Sequence, residues 1–249
     1  MNALSNGISI YVEDTGKTYH TLDDWDFALG NNNYISEPEM ETNYINVPYR
    51  NGMIDASTAL TGRPVFKKRQ LSFALGGKRP RMGWDSVMSQ IRNAIHGRTC
   101  RLTLDNDPNY YWRGRVFVEN FNRNQILGTF NLNVPIAEPY KMSHYTSAEP
   151  WLWNPFSFVN GVITYQDAWD VDYRLEVTIP AGYMATIPTF VISEMSQEWP
   201  LSMLCGSTVY DLVSGSNIFP EIMVGGDDDV VLTFTGWGKV QIVYRSGSL

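Results

Sequence analysis

Phe130-Asn131-Leu132-Asn133-Val134-Pro135-Ile136 alternates large apolar residues with polar ones or proline, and this stretch decides the class of fold. In an extended chain successive side chains point to opposite faces, so Phe130, Leu132, Val134 and Ile136 are expected on one buried face. The same period recurs upstream. Leu71, Phe73 and Leu75 alternate with Gln70, Ser72 and Ala74, giving a strand from Arg69 to Leu75 that Gly76-Gly77 is expected to end. Shorter strands are expected over Ile8 to Val12 and Tyr44 to Pro48, and again over Arg101 to Leu104 and Tyr110 to Val118. Between the last two, Asp105-Asn106-Asp107-Pro108-Asn109 has the Asx side chains and fixed proline torsion of a hairpin connection.

One segment departs from this period. Trp84, Val87, Met88, Ile91, Ala94 and Ile95 recur at spacings of three, four and seven, which predicts an amphipathic helix over 84–96 laid on a sheet. Gly97 suits the left-handed conformation that ends a helix, and a protonated His96 would complement the carboxyl end of its dipole.

The second half shows only the strand period. Tyr173, Leu175, Val177 and Ile179 alternate with polar residues, and further strands are expected at Ile187 to Ile192, Val209 to Val213, Val230 to Thr235 and Val240 to Tyr244. Gly236-Trp237-Gly238-Lys239 reads as a turn between the last two, and the whole as a small jelly-roll sandwich. The fold class is mainly β: a sandwich or barrel-like first domain with one packed helix, then a jelly-roll sandwich.

The chain has 249 residues, 43% of them hydrophobic and 18% charged, which is enough to bury a core and argues against wholesale disorder. Charge is divided unevenly. Residues 1–144 hold 16 Lys and Arg against 14 Asp and Glu, a net of +2, whereas residues 145–249 hold 3 against 12, a net of −9. With Pro139, Pro150 and Pro155 bracketing the join, two domains are expected, 1–147 and 148–249. Lys17 is the first basic residue and no stretch approaches 18 uninterrupted apolar residues, so neither export nor membrane insertion is expected. Cys100 and Cys205 read as free thiols.

Chemistry is sparse. Asp23, Asp24 and Asp26, and Asp227-Asp228-Asp229 after Gly225-Gly226, are the densest carboxylate groups, but they read as solvated turns before they read as acid and base pairs or a cation loop. His20, His96 and His144 are scattered, and no phosphate loop, nucleophile elbow or paired-Cys motif is present. No catalytic residue, cofactor or metal is expected. Arg63, Lys67, Lys68, Arg69, Lys78, Arg79 and Arg81 form a basic run; with a pI near 5.0 a subunit interface or solvated hairpin edge is favoured over nucleic acid. Trp151, Trp153, Trp169, Trp199 and Trp237 are concentrated in the second domain. Burial in a core or domain contact is favoured over a sugar-binding platform, with Trp237 the expected exception as a glycan contact.

The run Val47-Pro-Tyr-Arg-Asn-Gly-Met-Ile-Asp-Ala-Ser, followed by Arg69-Gln-Leu-Ser-Phe, resembles the distal tail protein family of long non-contractile-tailed bacteriophages. The helix closing on His96-Gly97, the Leu-Asp-x-Asp-Pro turn at 104–108 with Tyr111 and Arg115 after it, Glu138-Pro-Tyr-Lys, and the closing Val240-Gln-Ile-Val-Tyr-Arg-Ser-Gly-Ser-Leu agree in order and spacing. Where that family has a Pro-Gly-x-Asn type of turn before the penultimate strand, this chain has Gly225-Gly226-Asp227. The resemblance implies a structural virion protein without enzymatic activity or cofactor. Six copies of the first domain would form a ring, with galectin-like second domains at its periphery. The ring would join tail tube and tape-measure protein to the tail-tip hub and receptor-binding protein, at the virion tail tip after assembly in the host bacterial cytoplasm. A carbohydrate-binding module for host cell-wall glycan is the alternative.

Overall fold

In the computed structural model, which describes residues 6–78, 83–149 and 168–249, the strand period prevails. In chain order come β1 (Ile8–Val12), β2 (Lys17–His20), β3 (Phe27–Ile35), β4 (Tyr44–Asn46), β5 (Met53–Asp55), β6 (Arg69–Lys78), α1 (Trp84–Ile95), β7 (Thr99–Leu104), β8 (Tyr110–Arg115), β9 (Phe117–Arg123) and β10 (Leu127–Ala137). After β11 (Lys141–Thr146) follow β12 (Trp169–Ile179), β13 (Thr189–Met195), β14 (Ser202–Cys205), β15 (Thr208–Asp211), β16 (Gly215–Ile218), β17 (Val230–Val243) and β18 (Arg245–Ser248). The chain divides into two compact units, Met1–Lys141 and Met142–Leu249.

In the first unit the antiparallel order is β2-β1-β7-β8-β10-β6-β3, with β9 also paired to β10. Leu71, Phe73 and Leu75 of β6 and Phe130, Leu132 and Val134 of β10 meet in one core with Ile8, Ile10 and Leu102. Two expectations change here. Gly76 and Gly77 do not end β6: they pair with Thr129 and Gly128 of β10 and with Ala28 and Phe27 of β3. A side chain at Gly77 would stand 2.5 Å from the Asp26 carbonyl, so a glycine is needed for close approach rather than for a turn. Ile136 is not on the buried face but 65% exposed, because the β10 register shifts between Val134 and Ala137 and Ala137 takes the inward position.

The single helix among the described residues, α1, buries Trp84, Val87, Met88, Ile91 and Ile95, the expected stripe. Gly97 has φ 76° and its N–H donates to the Val116 carbonyl. His96 does not serve the helix end as expected. Its Nδ1 accepts the Val118 N–H at 3.1 Å and its ring meets Phe117 edge-on, so the side chain is bound to β9.

β17 organises the second unit. β12 pairs along one edge of it, while β14 and then β13 share the other, in the order β15-β14-β17-β13-β16. Phe190, Met203, Leu232, Phe234 and Val240 are fully buried in the resulting core. The two strands expected at 230–235 and 240–244 are therefore one strand, and Gly236 to Lys239 is its middle rather than a turn. A side chain at Gly236 would meet the Pro200 carbonyl and one at Gly238 the Glu194 carbonyl. Both glycines let neighbouring backbone cross β17 closely. Ser147, the expected limit of the first domain, belongs to the second unit: it is buried, its N–H donates to the Tyr244 carbonyl, its hydroxyl donates to the Ile242 carbonyl, and that hydroxyl accepts the Tyr244 N–H.

Candidate functional site

The basic run does not act as one patch. Arg69 is only 7% exposed; its Nε donates to the Ser36 carbonyl at 2.8 Å and its guanidinium lies 4.8 Å from the centre of the Trp112 ring. Burial lowers its pKa from the ordinary guanidinium value, with the nearby Glu37 opposing. It is a packing element of the first unit. Lys67 pairs with Glu39 at 2.6 Å and Lys68 pairs with Glu138, while Lys78 is exposed at the end of β6 and Arg63 is partly exposed. Arg79 and Arg81 lie outside the described residues.

The carboxylate groups stabilise turns. Asp24 accepts the His20 N–H at 2.7 Å, Asp23 lies 2.9 Å from His20 Nδ1, and Trp25, which follows them, is buried against Tyr19. His20 Nε2 lies 3.1 Å from Asp105, whose other oxygen accepts the Gly7 N–H. Asp227, Asp228 and Asp229 are exposed in the loop entering β17, where Asp229 accepts the Ala181 N–H at 2.7 Å. Among the described residues no three His, Cys, Asp or Glu side chains gather as metal ligands, and no helix is long and apolar enough to cross a membrane. Cys100 and Cys205 are both free.

Two groups of exposed apolar residues share an element or a cleft. In the first unit β4 and β5 pair only with each other, Tyr44 with Asp55, Ile45 with Ile54 and Asn46 with Met53, and all six residues are exposed. An isolated two-stranded ribbon is marginal in water, and among the described residues no further strand pairs with this arm.

In the second unit a cleft of about 510 Å³ is lined by Tyr173, Ser196, Glu198, Trp199 and Trp237. Its three rings are 70%, 58% and 48% exposed for Tyr173, Trp199 and Trp237. The Trp199 loop is tied to the middle of β17: Ser196 donates its N–H to the Trp237 carbonyl at 2.9 Å and Trp237 its N–H to the Trp199 carbonyl at 3.1 Å. Tyr173, expected on the buried face of β12, points out instead. It has φ 72° and pairs with Gly236, φ 116°. Trp237 is placed where sequence reasoning singled it out, but on a strand, and Trp199 joins it instead of entering the core. Trp169 packs against the core, and Trp151 and Trp153 lie outside the described residues. Sequence reasoning missed Tyr173, Ser196 and Glu198; Gly236, which no turn requires, is the signal that could have found Tyr173.

No protein-family model matches the chain, and no curated protein matches it. By fold it is similar to the crystal structure of the Dit protein of SPP1, described as a paradigm of the hub adsorption apparatus in phages infecting Gram-positive hosts. The TM-score is 0.59 at 14% identity, over 97% of this chain and 99% of that one. At that identity the likeness establishes the architecture, mainly β with one helix among the described residues, and it spans both units.

Proposed function

We propose that this protein is a distal tail protein: a structural virion component, six copies of which form a ring joining the tail tube to the tail-tip hub and adhesion apparatus. The observation that carries this reading is the fold likeness to a phage hub protein across 97% of the chain, which a chance match of one sandwich would not produce. The β4–β5 arm supports it. A ribbon exposed on both faces, with Tyr44, Ile45, Met53 and Ile54 in water, is the kind of element that self-association buries. In this reading the first unit builds the ring and the second serves as the peripheral domain. On the same reading Arg63, Lys67, Lys68 and Lys78 lie at the contact between copies, Lys67 and Lys68 with their partners Glu39 and Glu138, while Arg69 packs inside the unit on Trp112. The ring contacts tail tube protein and tape-measure protein on one side, and tail-tip hub and receptor-binding protein on the other, at the tip of the virion tail. It is assembled in the host bacterial cytoplasm and carries out no reaction.

Co-expression with tail-tube and hub proteins from the same genome tests the reading. A complex that co-purifies with at least one of them is expected; failure to associate with either, by a chain that is itself folded, contradicts it.

A further inference from the structure

We propose that the cleft of Tyr173, Ser196, Glu198, Trp199 and Trp237 is a binding site for a neutral hexopyranose oligosaccharide. Sugar rings stack on the indole and phenol faces, and sugar hydroxyls donate to the Glu198 carboxylate and the Ser196 hydroxyl. Three large aromatic side chains stand in water around one concavity, although folding rewards the burial of each. Among the described residues none of these three rings stacks on another aromatic ring, so their faces are available. They are also held in place. The paired backbone hydrogen bonds between 196–199 and Trp237 tie together the two segments that carry the indoles, and Tyr173 keeps a left-handed backbone that a tyrosine rarely adopts, a strain typical of functional positions.

The polar groups select the ligand. Glu198 makes no ion pair among the described residues, while nearby Lys239 is engaged with Glu194 at 2.9 Å. An unpaired carboxylate accepts hydrogen bonds from hydroxyls and repels anionic chains, and the net charge of −9 over residues 145–249 adds to that repulsion. Proline-rich peptides also dock on aromatic grooves, but they bring no hydroxyl donors for Glu198 and Ser196. All five residues belong to the second unit, so the site stands whether or not the chain assembles into a ring.

The test is calorimetric titration of the full chain, with tryptophan fluorescence read in parallel, using cellotetraose and chitotetraose as neutral probes. Polygalacturonate and decaproline serve as the anionic and peptide alternatives. Saturable binding of at least one tetrasaccharide is expected, with Kd on the order of 1 mM or tighter. Trp199→Ala and Trp237→Ala should each weaken it roughly tenfold, with the melting temperature unchanged. Trp199 lies in a loop outside the β17 ladder, so its variant decides should the other unfold. No saturation by either tetrasaccharide overturns the proposal. So does affinity that survives Trp199→Ala, or a preference for polygalacturonate or decaproline. A change in self-association by Trp199→Ala without tetrasaccharide binding reassigns the cleft to a protein contact.

Discussion

Glu13 holds two arginines at once: Arg113 bridges both its oxygens at 2.9 and 2.8 Å, and Arg101 reaches one of them at 3.0 Å. The Arg113 hydrogen bond is the largest influence in holding the Glu13 carboxyl below the ordinary carboxylate range; burial opposes it and Arg101 adds to it. A carboxyl whose pKa is lower in the native state gives stability that is complete above its unfolded value, about 4.3, and is lost as pH falls through the native value. Glu13→Gln should therefore lower unfolding free energy by on the order of 1 kcal/mol at neutral pH, and by much less in acid. Urea titrations across that range measure it, and a deficit that stays constant with pH contradicts the assignment. Arg69 belongs to the same scale. Its charge lies over Trp112 inside the unit, so a basic residue within a basic run is not evidence of a basic surface.

At the scale of elements, α1 was legible because its signal is local: five inward residues at helical spacing need only one flat surface to cover. Ile91, fully buried at its centre, should cost about 3 kcal/mol when changed to Ala, read as a loss of urea midpoint. The strands were legible in period but not in extent. Ile136 left the core because a register shift against β6 interrupts β10. In the sequence β17 reads as two strands because Gly236 and Gly238 look like turn residues, when they make room for backbone far along the chain, at Pro200 and Glu194. The cleft was illegible for the same reason. Trp199 and Trp237 meet only through tertiary hydrogen bonds, and Tyr173 faces out only because of a backbone torsion. Gly236→Ala combines a forbidding φ with a collision at Pro200, and should destabilise by about 2–4 kcal/mol. Gly76→Ala, whose new methyl would stand 3.7 Å from Thr129, should change stability by less than about 1 kcal/mol. Equal melting temperatures for the two variants would refute the reading of β17 as one strand crossed by close neighbours.

For the whole molecule, two separate cores and a charge division of +2 against −9 describe a chain of two physically dissimilar halves. The first unit carries an arm that pairs with no further strand among the described residues and a mixed set of exposed and paired cations; the second carries the aromatic cleft and the excess of negative charge. The proposed assembly role would account for the arm, and the proposed glycan site for the cleft. The central claim is the ring, and the mass of the particle tests it most directly. Light scattering on purified protein, alone and co-expressed with its hub partner, with electron-microscope class averages of the same samples, should give a hexamer with six-fold symmetry, and Ile45→Asp in the arm should return it to monomer. A species that stays monomeric at all salt concentrations even with the hub present, or a closed particle of another symmetry, would contradict the account.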